Sequence, residues 1–129
     1  MKSAPDQGRD KKQRARGFGR LGEWAALALL LCKRYRVLAR NFSAPGGEID
    51  IVARKGDTIA FVEVKARPHV EAARTAISAE KRRRIARAAR AWLARNRWAN
   101  GYCFRADAVF IAPRRWPEHL ESAFELDLS

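Results

Sequence analysis

The stretch from Gly46 to Ala66 limits what this chain can fold into more than any other. Glu48 to Arg54 alternates with period two: Ile49, Ile51 and Ala53 fall on one side, Glu48, Asp50 and Val52 on the other. Lys55-Gly56-Asp57 is a turn signal. Thr58 to Ala66 then alternates again, with Ala60, Val62 and Val64 opposed to Ile59, Phe61, Glu63 and Lys65. An antiparallel hairpin with Lys55 opposite Thr58 sets Asp50 against Glu63 and Glu48 against Lys65, and it aligns the aliphatic sides. A slip of one residue would turn the acids onto the aliphatic face. Hydrophobic consistency therefore selects the register that gathers three carboxylates and one lysine.

The flanking segments complete an α-β-β-β-α-β order. A helix is expected over about Leu21 to Lys33, where Ala26, Leu27 and Leu30 share a side with Glu23. A first-turn carboxylate is favoured by the helix dipole. Arg36 to Phe42 reads as a strand, and Ala44-Pro45-Gly46-Gly47 as a turn. A long helix is expected from Ser78 to Arg97, with Ile85, Ala88, Ala89 and Trp92 as its apolar stripe and Asn100-Gly101 at its end. Tyr102 to Ile111 reads as a fourth strand, and a short one is expected near Phe124 to Leu126. Hairpin strands followed by a crossover helix imply a mixed sheet flanked by helices.

Two facing carboxylates repel unless a cation sits between them. Hard oxygen ligands suit Mg²⁺ or Mn²⁺, which also bind phosphate oxygens. Lys65 beside them is placed to steer a water or to stabilise charge on a phosphate. The pattern alone leaves a second reading open, an exposed Glu48–Lys65 ion pair among ordinary surface acids. Asp107 reads as a structural group within the fourth strand.

The run Gly46-Gly47-Glu48-Ile49-Asp50-Ile51-Val52, then Phe61-Val62-Glu63-Val64-Lys65-Ala66-Arg67, resembles the YraN family of bacterial proteins. Gly22-Glu23, Arg40-Asn41, Lys81 and Arg105-Ala106-Asp107 add to the likeness, which spans about residues 17–128. That family is similar to restriction-endonuclease-like proteins with a PD-(D/E)xK site, Holliday junction resolvases among them. The resemblance implies a restriction-endonuclease-like domain over residues 17–129. It implies a site in which Asp50 and Glu63 hold Mg²⁺ or Mn²⁺ with the Val64 carbonyl, Glu23 ligates directly or through water, and Lys65 orients the attacking water. The implied activity is hydrolysis of DNA phosphodiesters, at branched or structured DNA. Glu48 is either a metal or water contact or a structural partner of Lys65. The segment Pro68 to Ala76 lacks the glycine often seen after the Glu-Val-Lys motif.

Charge points the same way. Lys and Arg number 27 against 14 Asp and Glu, a net charge of +13. Such an excess costs folding stability through self-repulsion, and a polyanionic partner offsets it. Residues 1–20 hold seven basic and two acidic residues, so residues 1–16 read as a flexible basic arm. From Glu80 to Arg97 there are eight basic residues. Arg83, Arg87, Arg90 and Arg97 point away from the apolar stripe and suit phosphates without reading base sequence. Lys81 lies within the stripe: it either snorkels to the sheet edge or points at the carboxylates to hold a substrate phosphate or an acid. Nucleic acid, most simply DNA, is the expected partner. A binding protein without turnover is the alternative function.

Cys32 and Cys103 fall in apolar runs and read as buried thiols. Trp98 and Trp116 read as partly packed against the core. With His69 and His119 isolated, zinc and disulfide frameworks are not expected. The longest apolar run, Trp24 to Cys32, is too short for a membrane span, and a cytoplasmic protein is expected.

Overall fold

The computed structural model describes residues 21–66 and 77–129; the expected arm over residues 1–16 and His69 lie outside them. Residues 21–32 form helix α1. It stops in a Schellman-type turn: the Tyr35 amide donates to the Leu30 carbonyl at 2.9 Å and the Arg34 amide to Leu31 at 3.0 Å. Arg34 takes the left-handed φ of 70° that glycine usually takes there.

Five strands follow the chain order in one sheet: β1 (Arg36–Ala44), β2 (Gly47–Lys55), β3 (Thr58–Ala66), β4 (Cys103–Ile111) and β5 (Glu118–Phe124). Strands β1 to β3 form an antiparallel meander, β4 runs parallel to β3, and β5 returns antiparallel to β4. The β3–β4 crossover carries α2 (Ala79–Arg95) and a 3₁₀ turn (Arg97–Ala99). The β2–β3 pairing runs from Lys55↔Thr58 to Ile51↔Val62, the register that hydrophobic alternation selects.

Both faces of the sheet are covered. Ala26, Leu27 and Leu30 of α1 pack with Tyr35, Ile51, Ala53, Ala60, Val62 and Val109. On the other face Ile85, Ala88, Ala89 and Trp92 of α2 pack with Val52, Ile59, Phe61, Ala106 and Ala108. Ile49 joins this second layer rather than that of Ile51 and Ala53, which the alternation predicts; the break falls at Asp50, level with the left-handed Asn41 of β1. Gly47 shows how close α2 lies: a Cβ there would sit 1.9 Å from the Arg84 carbonyl oxygen. Only a bare backbone fits under the helix.

Several boundaries differ from the sequence reading. α2 ends at Arg95, not Arg97, because Asn96 caps it. The Asn96 amide donates to Leu93 at 3.2 Å and its Nδ2 to the Trp92 carbonyl at 2.8 Å. The last strand is Glu118–Phe124, earlier than the Phe124–Leu126 segment, because its inward positions include polar His119. Cys32 and Cys103 are exposed, one on the outer side of the last turn of α1, the other at the start of β4 after the Gly101 turn. Trp116 is 92% exposed, outside the core altogether. Trp98 is exposed too, yet its ring meets those of Trp92 and Tyr102 edge-on. No helix among the described residues is long and apolar enough to cross a membrane.

Candidate functional site

The site begins where two strands part. Past Ile51↔Val62, β2 keeps pairing with β1 and β3 with β4, so a gap opens between the middle strands. The Asp50 carboxylate fills it. Its Oδ2 accepts the Val64 amide at 2.8 Å, replacing a ladder bond. In an extended strand the amide and carbonyl of one residue leave by the same edge, so the Val64 carbonyl also faces this gap.

Glu63 projects to the α2 face beside Asp50 and is 3% exposed. The Glu63 carboxylate is near enough to act electrostatically on Asp50. Burial, with the Glu63 charge beside it, pushes Asp50 up to about 8; the Val64 amide and Lys81 oppose that rise. Glu63 is answered by two ammonium groups, since Lys65 Nζ lies 3.1 Å and Lys81 Nζ 3.3 Å from its Oε2. Lys65 arrives by strand period two. Lys81 arrives from the first turn of α2, where the Ser78 hydroxyl caps its amide at 3.1 Å. Of the two placements open to Lys81, the structure has the one facing the carboxylates.

The other sequence candidates sit apart. Glu48 is exposed opposite Ser43, and among the described residues no ion pair joins it to Lys65, which has turned to Glu63. Two carboxylates gather, not three. Glu23 lies on α1, and its Oε1 accepts Asn41 Nδ2 at 2.9 Å and lies 3.5 Å from Arg40 Nη2. Asn41 falls between the pairs Arg40↔Ile51 and Phe42↔Ile49, level with Asp50, with φ of 51°. Glu23 is therefore tied to the strand neighbouring Asp50 rather than to Asp50 itself. Among the described residues no group of three or more His, Cys, Asp and Glu converges. The sequence reading noted Arg40-Asn41 but gave the pair no role; a left-handed asparagine within a strand leaves little trace in the sequence pattern.

On α2, Arg83 and Arg87 are exposed as expected. Arg90 is not free on that face: its Nη1 donates to the Asp127 main-chain oxygen at 2.7 Å, because the C-terminal segment packs Leu126 and Leu128 onto the α2 layer. Arg87 Nη1 donates to the Gly46 carbonyl at 3.3 Å. Arg82, Arg83, Arg87 and Arg90 line a pocket of about 220 Å³ with Glu125 and Asp127.

A second polar cluster lies on the α1 face. Asp107 is fully buried. Its Oδ1 accepts Arg105 Nε at 2.8 Å and the Ser122 amide at 3.1 Å; its Oδ2 meets His119 Nε2 at 2.7 Å. Burial works to raise Asp107, but the bonds from His119, Arg105 and Ser122 outweigh it and hold the group ionised below its usual range. Lys33 meets His119 Nδ1, and Arg105 donates to the Tyr35 hydroxyl. The Ser122 contact replaces ladder bonds and bulges β5, with Ser122 at φ of 52°. Asp107 is the structural group expected; Tyr35, Lys33 and His119, scattered in sequence, were not legible as its partners.

Fold and site together define a mixed α/β protein, with five strands between two helices among the described residues and a carboxylate pair, Glu63 buried and Asp50 half-buried, where its middle strands split. The chain belongs to UPF0102, described as an uncharacterised protein family, whose profile matches residues 22–111. It is 62% identical over 114 residues to a UPF0102 protein of Methylobacterium nodulans (strain LMG 21967 / CNCM I-2342 / ORS 2060), covering 88% of this chain and 87% of the relative. A UPF0102 protein of Methylorubrum extorquens (strain PA1) is 58% identical over 117 residues, 91% of each chain.

Proposed function

We propose that this chain is a metal-dependent nuclease that hydrolyses DNA phosphodiester bonds, at branched or otherwise structured DNA, on a restriction-endonuclease-like core. The observation that carries the reading is the Asp50–Glu63 pair. A buried Glu63 and a half-buried Asp50 act on each other electrostatically at a strand split, with the Val64 carbonyl turned to the same gap and two lysines beside Glu63. The arrangement is costly: burial first, and then the Glu63 charge, raise Asp50. Three hard oxygen donors on one gap fit Mg²⁺ or Mn²⁺.

When bound, such an ion supplies Lewis-acid polarisation of a phosphate oxygen and a more acidic water. The chain's own groups do the rest. Asp50 and Glu63 hold the position, and the Val64 amide fixes the Asp50 rotamer. Lys65 donates to the attacking oxygen or to the charge growing on the phosphate. Lys81 reaches the same point from α2 and is placed for a phosphate oxygen. Glu23, through Asn41, supports the strand next to Asp50. Arg83 and Arg87 attract the backbone of the nucleic acid without reading bases.

A nucleic-acid-binding role without turnover is the second reading. It is favoured by one observation: Glu63 Oε2 is already paired with both lysines. Cleavage assays on linear, flap, junction and single-stranded DNA, with Mg²⁺ or Mn²⁺, decide between them. Metal-dependent products lost in Asp50→Asn, Glu63→Gln and Lys65→Met support the nuclease. Binding with no metal-dependent product supports the second reading.

A further inference from the structure

The outer arc of α1 is large and apolar. Leu21, Trp24 and Leu31 are 70%, 60% and 59% exposed, and Ala28 and Cys32 are exposed beside them. At about 100° per residue, these positions fall within roughly 120° of one another. The only charged residue between residues 21 and 32, Glu23, flanks the arc, held by Asn41 and by Arg40, whose guanidinium also lies over the Trp24 ring at 4.8 Å. A contiguous apolar stripe of this kind marks an interaction surface.

We propose that a second copy of this chain docks there, α1 against α1, antiparallel about a two-fold axis at the level of Ala26. The spacing of the stripe supports this occupant. Leu21, Trp24, Ala28 and Leu31 step by three, four and three, so the pattern reads the same from either end. In the antiparallel pair Leu21 meets the partner's Leu31, and Trp24 meets the partner's Ala28. Large side chains face small ones twice over, which is how self-complementary helix faces close. Charge agrees. Two chains of +13 repel wherever their arginine faces approach, whereas at this arc the Arg40 guanidinium over Trp24 is offset by Glu23, 3.5 Å away, so the repulsion there is least.

From Leu21 to Leu31 the helix advances about 15 Å. A helix pair of that length buries less than the roughly 800 Å² per partner of a standard interface. The dimer is therefore weak and depends on concentration, and added salt strengthens it by screening the repulsion. Nucleic-acid binding responds to salt in the opposite sense, which keeps the two apart.

Sedimentation velocity on the full chain, from micromolar to near-millimolar at low and high salt, tests the proposal. The mass should rise from 14.6 kDa toward twice that with concentration, and more readily at high salt. Trp24→Glu should abolish the rise with the melting temperature retained; Leu31→Lys serves the same purpose, since Trp24 also carries the Arg40 guanidinium at 4.8 Å. Ala28→Trp alone should weaken association, and Trp24→Ala with Ala28→Trp should restore it by exchanging large and small. A mass of 14.6 kDa throughout, a dimer indifferent to both charged variants, or no recovery in the double variant would overturn the proposal. So would a monomer that instead floats with anionic phosphatidylglycerol vesicles through the same stripe.

Discussion

Lys81, in the first turn of α2, places its ammonium 3.3 Å from the Oε2 of Glu63, a strand residue buried at the centre of the sheet. The contact ties the crossover helix to the carboxylate pair and makes that pair depend on where α2 sits.

Lys81→Met keeps the stem and removes the charge. Lys65 still answers Glu63, so the melting temperature should change by only a few degrees. Metal-dependent cleavage, or metal-dependent DNA binding, should weaken about tenfold or more. Arg83→Met, on the exposed face, should instead reduce affinity uniformly and flatten its salt dependence by about one contact. A Lys81→Met protein with unaltered cleavage and binding would remove the lysine from the site.

Asp50 sets a pH dependence of known sign. Held at about 8 by burial and Glu63, it keeps a proton that the unfolded chain, with a carboxyl near 4, has released. Stability should fall as pH rises from about 4 to about 8, by at most about 1.4 kcal/mol per unit, and level off above. Asp50→Asn should flatten that slope and be as stable as the parent, or more so, at pH 8. Mn²⁺ takes the place of the proton, so its stabilisation should grow with pH and vanish in Asp50→Asn. Urea titrations across this range measure both; equal Mn²⁺ shifts in parent and variant would remove the metal site.

Asp107→Ala should destabilise the fold by about 3–5 kcal/mol, because it strands Arg105 and His119 around a cavity and removes the partner of the Ser122 amide. Thermal denaturation reads the loss. A drop of less than about 1 kcal/mol would mean that water or Glu121 replaces the carboxylate.

Gly47→Ala should cost about 2 kcal/mol or more, since its Cβ meets main-chain atoms of α2 rather than a side chain that can swing aside. It should also shift α2 and, with it, Lys81, so cleavage should fall further than stability alone accounts for. Crystallography of the variant would show the displacement.

The central hairpin was legible because two alternating runs leave only one register that buries both aliphatic sides. Lys81 was legible as a cation within the apolar stripe of a helix. What escaped had no periodicity to announce it. Glu48 continues the alternation that holds Asp50, but β2 has left β3 by that point, so the expected pairing with Lys65 has no strand to form on. Cys32 sits in an apolar run because α1 is apolar on both sides, and a run alone cannot say which side is buried. The last strand was placed late because its inward His119 looks like an outward residue until Asp107 is known to lie beneath it.

The bond from the Val64 amide to Asp50 has a use of its own. Most amides in the middle of a sheet are protected from exchange by a carbonyl that cannot move without unfolding. This one is protected by a side chain that can rotate. If a cation draws Asp50 toward itself, or if the group changes its protonation, the Val64 amide is the first to feel it. A single labelled valine thus serves as a built-in reporter, read by NMR, of whether the gap between the middle strands is occupied.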